Sequence, residues 1–246
     1  MIKTTLVIAV HADIVGSLLR PHALLQAQKH LAAGTISHAQ FKAIEDRAVD
    51  DAIALQETVG LDVVTDGEMR RQSFQSQMTA AVSGFGEFNL EAFLWGEWHD
   101  GSGMQRKARP RGLGAVGKLS RRGYLSVDEF VYLKSKTPRI PKITLPSPGL
   151  WTNFWSAELS KSAYPTLDSL LADIVQILRE EVEELVRLGA RYIQLDAPHY
   201  GLLLDPKTRR FYEGQGWSLD QWLGQGIELD NAVMDDFAEV TFGFHV

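Results

Sequence analysis

The sequence predicts an α/β protein on a parallel sheet, of the (β/α)8 TIM-barrel type and two β/α units short of closure. Three observations predict it. Apolar runs of strand length alternate with amphipathic helical stretches. Six such runs end near Gly16, Asp66, Lys118, Pro146, Asp196 and His245, the Lys118 run being the weakest. Acids and histidines gather just after those ends, where proteins of this architecture keep their ligand-binding groups. No sequence period repeats and no linker divides the chain, so residues 1–246 are expected to form a single barrel domain, incomplete at its C-terminus.

The elements follow in order. Leu6 to Val10 is an apolar run feeding His11, Asp13 and a Gly16-Ser17 turn, whose backbone N–H groups suit a carboxylate. Pro21 opens a helix ended by Gly34. Ser37 caps the next helix, which is expected to reach Val59 and bury Ala39, Phe41, Ile44, Ala48, Ala52 and Leu55. Gly60 ends it, and the β-branched run through Val63, Val64 and Thr65 is a strand. Alternation would place Asp66 and Glu68 on one face at its exit, followed by Arg70 and Arg71. A solvated acidic turn is the plain alternative.

Residues 80–124 lose periodicity and are expected to be a long loop or insertion over the barrel mouth. Its basic residues Arg106, Lys107, Arg109, Arg111, Lys118, Arg121 and Arg122 form either a solvated loop or a funnel for a polyanion. Val127 to Lys136 is a short helix behind Ser126, and Arg139 to Pro146 a strand with a proline-stiffened exit near Trp151, Phe154 and Trp155. Thr166 to Gly189 is the clearest helix, with Glu180, Glu181, Glu183 and Glu184 expected in solvent. Arg191 to Asp196 is a strand with Asp196 and His199 at its exit. Leu204 to Ile227 has the composition of a loop. A last helix begins near Leu229, and the strand after it ends on His245.

The bulk properties exclude several classes. The chain has 246 residues, 45% of them hydrophobic and 23% charged, as expected of a globular protein with a sizeable core. A net charge of -6 disfavours nucleic acid and anionic membranes. There is no cysteine, which removes disulfides, thiolate nucleophiles and cysteine-containing metal sites. The first apolar run is too short for a secretory signal or a membrane span, so a cytoplasmic protein is the default expectation. The strand exits thus offer His11, Asp13, Ser17, Asp66, Glu68, Asp196, His199 and His245. Carboxylates facing backbone donors suit an amino-acid ligand, and His with Asp or Glu also suits a divalent metal.

Four segments carry a resemblance: Ile14-Val-Gly-Ser-Leu-Leu-Arg-Pro, Gly60-Leu-Asp-Val-Val-Thr-Asp-Gly-Glu-Met-Arg-Arg, Tyr192-Ile-Gln-Leu-Asp-Ala-Pro and Phe242-Gly-Phe-His-Val. In order and spacing the chain resembles the cobalamin-independent methionine synthase family, and most closely its short single-barrel relatives. The resemblance implies a (β/α)8 barrel that moves a methyl group from a methyltetrahydrofolate to homocysteine, with zinc activating the thiol and no cobalamin. It implies that Gly16 and Ser17 hold the substrate carboxylate and that Glu68 and Asp196 hold its ammonium. Asp66 would support Glu68, His11 and His199 are further candidates for support or for the donor site, and Trp155 would lie near the pterin. His245 would be a zinc ligand. The family's His-x-Cys pair is cut here, because Val246 is the last residue, and its Asp-Glu-Pro is Asp196-Ala197-Pro198. Apart from any family motif, the funnel reading of the basic loop would suit a polyglutamate tail.

Those departures keep other outcomes open: thiol alkyl transfer with another donor or with a thiol such as coenzyme M, or a non-catalytic barrel fragment. A barrel decarboxylase of the uroporphyrinogen type fits the motifs less well. Partners are expected to be small molecules; the apolar and strand edges that an open barrel exposes should make the chain associate, as a homo-oligomer, or be unstable.

Overall fold

The computed structural model describes residues 12–72, 76–87, 113–214 and 216–246. The strand read at Leu6 to Val10, His11 and the basic residues 106–111 lie outside the described residues.

Two helices open the described chain. Helix α1 (His22–Ala32) follows Pro21, and α2 (His38–Thr58) starts at Ser37 in a capping box with Gln40. Helix α2 buries Ala48, Val49, Ala52, Ile53 and Gln56. The expected stripe is therefore wrong at its ends: Ala39 is exposed and Leu55 is 57% exposed. The second half of α2 turns the 48/52/56 row inward.

Strands β1 (Val63–Val64), β4 (Ile140–Pro146), β5 (Tyr192–Asp196) and β6 (Thr241–His245) form one parallel sheet in the order β1-β4-β5-β6. Pro146, Asp196 and His245 stand opposite one another in register, so three strands exit at one level. Alternation then divides the side chains. Ile143, Leu145, Ile193 and Leu195 join the hydrophobic core, while Lys142, Thr144, Gln194, Asp196 and His245 share the other face.

The stretch from 80 to 124 is more ordered than its composition suggests. Helix α3 (Ser76–Ala81) leads into β2 (Val82–Glu87), which pairs antiparallel with β3 (Leu113–Arg121). The run read near Lys118 is therefore a hairpin arm and not a strand of the parallel sheet. Its basic residues are engaged: Lys118 pairs with Asp173, Arg121 with Glu180 and Glu181, and Arg122 donates to the Ala80 and Val82 carbonyls.

Helix α4 (Val127–Lys136) begins at Ser126, as expected. After β4 comes a 3-10 turn, Pro148–Phe154, and then α5 (Leu167–Arg187), capped by Thr166. Helix α5 buries Leu170, Leu171, Ile174, Leu178, Val182 and Leu185, each contributing about 1.5–3 kcal/mol by leaving water. Glu181 departs from the expectation of solvent. It is 0% exposed and accepts from the backbone N–H groups of Leu125 (2.8 Å) and Ser126 (2.7 Å) while pairing with Arg121 (3.0 Å). The carboxylate thus satisfies two backbone donors just before the first turn of α4.

The region read as loop after Leu204 is helical. Helices α6 (His199–Leu202), α7 (Pro206–Gly214) and α8 (Leu219–Met234) fill it. Helix α8 starts ten residues earlier than expected, because Gly224 and Gly226 mask a capping box between Ser218 and Gln221. Among the described residues no helix is long and apolar enough to cross a membrane.

Candidate functional site

The site is assembled at the exit of β1. The side chain of Gln56 bonds both the N–H and the carbonyl of Thr65, fixing the end of the strand. The chain then turns sharply. Gly67 (φ 67°) and Glu68 (φ 54°) are both left-handed, and the Glu68 N–H donates to Asp66 Oδ1 at 2.9 Å. A left-handed glutamate is uncommon and is held here by that side-chain turn. The turn therefore sets the direction of the Glu68 side chain, and simple strand alternation with Asp66 does not apply. Asp66 is its support, as expected. Burial pushes the Asp66 carboxyl up, with Arg71 opposing, and its Oδ2 has no partner among the described residues.

Residues 16–18 are sewn to this turn. Thr65 Oγ1 donates to the Gly16 carbonyl (3.1 Å) and the Leu18 N–H to the Gly67 carbonyl (3.0 Å). The Ser17 hydroxyl donates to Glu68 Oε2. Thr144 Oγ1 donates to Glu68 Oε1 at 2.6 Å, and Arg71 Nη1 approaches the same oxygen at 3.2 Å. A Cβ on Gly16 would lie 2.6 Å from Glu68 Oε1, so only glycine allows this approach. Glu68 is buried, and three donors hold it in one orientation.

Arg71 ties that carboxylate to a second one. Its Nε and Nη2 donate to Glu129 Oε2 at 3.0 and 2.8 Å, and Nη2 also reaches the Thr144 carbonyl. Burial opposes the Arg71 charge, but Glu129, Glu68 and Asp66 outweigh it and hold the guanidinium protonated. Burial pushes Glu129 up to about 7, although Arg71 and the Gln77 amide pull the other way. Beyond the Arg71–Glu129 pair lies a cavity of about 640 Å³ that Gln77, Arg122 and Tyr124 also line.

Asp196 stands at the exit of β5. Its Oδ1 accepts from Gln194 Nε2 (2.7 Å) and lies 3.1 Å from His245 Nδ1. Burial raises its pKa, and the Glu68 carboxylate adds to the rise, so the two acids sense each other across the mouth. Below them Lys142, fully buried, donates to Asp13 Oδ2 (2.9 Å), Gln194 Oε1 (2.8 Å) and the Ile14 carbonyl. Gln194 Nε2 in turn donates to the Val15 carbonyl at 2.6 Å. Lys142 and Gln194 thereby fix the segment that carries Gly16 and Ser17.

Of the residues expected from sequence, Gly16, Ser17, Asp66 and Glu68 come together, and Asp196 with His245 forms a neighbouring pair. His199 and Trp155 make no contact with that group among the described residues. His199 is 0% exposed beside Gly149, Tyr200 and Trp222, neither ring nitrogen has a hydrogen-bond partner, and burial lowers its pKa to about 3. It is a neutral core imidazole. Trp155 packs against the core and donates Nε1–H to the Tyr164 carbonyl at 3.1 Å. Sequence reasoning missed Thr144, Glu129, Lys142 and Gln194. For Thr144, Lys142 and Gln194 the available signal was a polar residue at every second position of a buried strand.

No three His, Asp or Glu side chains gather among the described residues where they could hold a metal.

Comparison with known proteins places this arrangement. Residues 11–242 match the family model described as the cobalamin-independent synthase, catalytic domain. The uncharacterized protein YxjH of Bacillus subtilis is 29% identical over 240 residues, covering 96% of this chain and 60% of its own length. The methionine synthase of Pyrococcus furiosus is 31% identical over 189 residues, covering 76% and 51%. Among solved structures, a putative vitamin-B12 independent methionine synthase from Listeria monocytogenes superposes with a TM-score of 0.70 at 20% identity, over 96% of this chain and 64% of that one. A B12-independent methionine synthase from Shewanella, in complex with selenomethionine, gives 0.63 at 19% identity over 86% and 54%. The chain thus spans roughly half to two thirds of the length of these relatives.

Proposed function

From the premise that the chain belongs to the cobalamin-independent synthase catalytic-domain family, we propose that it binds the amino-acid thiol homocysteine at the exits of β1 and β5 for methyl transfer. Glu68 is the observation that carries this. A buried carboxylate, held by Ser17, Thr144 and Arg71 beside a second buried acid, is matched best by a ligand ammonium. Neither Glu68 Oε2 nor Asp196 Oδ2 is saturated by the described residues, which leaves lone pairs for such a group. The backbone N–H groups of Gly16 and Ser17 donate to no acceptor among the described residues and suit the ligand carboxylate. The selenomethionine bound by the Shewanella synthase belongs to the same class of ligand.

In the reaction the sulfur–methyl bond forms as the nitrogen–methyl bond of a methyltetrahydrofolate-type donor breaks. The bonding pair stays on the donor nitrogen, which takes a proton, and the thiol gives one up. Glu68 and Asp196 hold the amino-acid end so that the thiol projects toward the donor. In the family zinc supplies thiol activation. Here His245 is one suitable donor atom and Asp196 a second, but Asp196 Oδ1 is already engaged by Gln194 and His245. The described residues do not complete a four-ligand site for zinc.

Ala197 favours a second reading. It is buried where the resemblance expects a glutamate, so the donor or the thiol differs from homocysteine and folate, as in transfer to coenzyme M. One assay separates the two. Labelled methyl transfer from methyltetrahydrofolate and from simpler methyl donors is measured against homocysteine and coenzyme M, with zinc added. Product from homocysteine and folate supports the first reading, and product only from another pair supports the second.

A further inference from the structure

Arg71 is shared unequally between two buried glutamates, and the division has a consequence for the site. Glu129 takes the Nε and Nη2 edge of the guanidinium, both nitrogens converging on its Oε2 at 3.0 and 2.8 Å. Glu68 receives only Nη1, at 3.2 Å, and Nη1 also donates to Thr144 Oγ1 at 2.8 Å. One positive charge thus faces two carboxylates. The geometry points to Glu129 as a positioning residue: by holding Arg71 along its far edge it keeps Glu68 from being neutralised and leaves a net negative charge for a ligand ammonium. This rests on the ammonium-clamp reading of Glu68 given above.

The surroundings suit the role. Glu129 lies in the first turn of α4, where the helix dipole favours a carboxylate. Gln77 Nε2, from α3, donates to it at 2.8 Å and also donates to Ser126 Oγ at 3.0 Å. The charged groups around it are Arg71, Asp66 and Glu68 from the β1 exit, Glu181 of α5 on the far side of Ser126, and Arg70 and Arg122, which line the same cavity. Glu129 also borders the 640 Å³ cavity, which gives it a route to exchange a proton with solvent.

The test compares L-methionine with its desamino analogue, which keeps the carboxylate and the thioether but lacks the ammonium. Binding of both is measured by calorimetry to the parent, Glu129→Gln and Glu68→Gln. Glu129→Gln is expected to weaken L-methionine on the order of 10-fold while leaving the desamino analogue within about twofold. Equal weakening of both ligands would mean a merely structural role, and no weakening of either would also overturn the proposal. The Glu68→Gln arm separates the two levels. If it leaves the preference for L-methionine intact, the clamp itself is wrong; if it abolishes that preference and Glu129→Gln does not, only the role of Glu129 fails.

Should Glu129→Gln not fold, the parent supplies a second measurement. Its L-methionine affinity is expected to rise between about pH 6 and about pH 8 as Glu129 loses its proton, with no such rise for the desamino analogue. Gln77→Met removes a donor to the Glu129 carboxylate and is expected to move that step to higher pH. A flat profile in the parent, or a step that Gln77→Met leaves in place, would contradict the proposal.

Discussion

The Ser17 hydroxyl donates to Glu68 Oε2 across 51 residues of sequence, joining the Gly16-Ser17 turn to the exit of β1. Gly16 makes this contact feasible, because its missing side chain leaves room for Glu68 Oε1. Gly16→Ala is therefore expected to push the Glu68 carboxylate aside and weaken L-methionine about 10-fold, since crowding of this kind costs 1–3 kcal/mol. Calorimetry beside a thermal melt checks it: unchanged affinity would show that Glu68 tolerates the displacement.

Glu181→Ala is expected to destabilise the protein by about 2–3 kcal/mol in urea unfolding. It strands the Leu125 and Ser126 N–H groups and removes a partner of Arg121. A surface glutamate would change stability by less than about 0.5 kcal/mol, so the size of the shift decides between the two.

Lys142→Met is expected to cost about 2–3 kcal/mol, because Gln194 Oε1 and the Ile14 carbonyl lose their charged donor and Asp13 its partner. The loss should be local as well as global. Hydrogen exchange at residues 13–18 is expected to accelerate by more than the global loss of stability accounts for, while α5 accelerates only by that global amount; equal acceleration of the two would argue against a local tether.

His199 gives a pH dependence with a defined sign. Its folded pKa of about 3 lies below the ordinary value of 6.5, so the unfolded chain takes the proton first as pH falls. The neutral ring contributes fully above pH 6.5, and that contribution is lost progressively from 6.5 down toward 3, at about 1.4 kcal/mol per pH unit. Asp66, Asp196 and Asp230, whose carboxyls burial raises, act in the opposite sense in that window. The comparison is therefore between the parent and His199→Phe. The variant should lose less stability than the parent between about pH 6.5 and about pH 5, by roughly 2 kcal/mol; parallel curves would place His199 in contact with a proton donor or acceptor.

The turns that carry the site were legible because each is marked locally. Gly67 permits the turn, Asp66 and Asp196 follow apolar runs, and Gly16-Ser17 precedes a proline-started helix. What was not legible depends on distant partners. Glu181 is one of four similar glutamates, and only the start of α4, some 55 residues away, distinguishes it. Arg71 beside Arg70 has the pattern of a solvated pair, yet Arg70 meets Glu45 and Asp46 near the surface while Arg71 is enclosed by Glu68 and Glu129. His199 stands at a strand exit like the site residues, but α6 turns it into the core beneath Gly149. Helix α8 was hidden by two glycines whose low propensity is outweighed by the burial of Trp222 and Val233.

The central claim is that Glu68 receives the ammonium of an amino-acid ligand. Calorimetric titration of L-homocysteine and L-methionine into the parent and into Glu68→Gln tests it most directly. The account predicts binding to the parent and a loss on the order of 30-fold in the variant, the value of one charged hydrogen bond of about 2 kcal/mol. Equal affinity for parent and variant would contradict it.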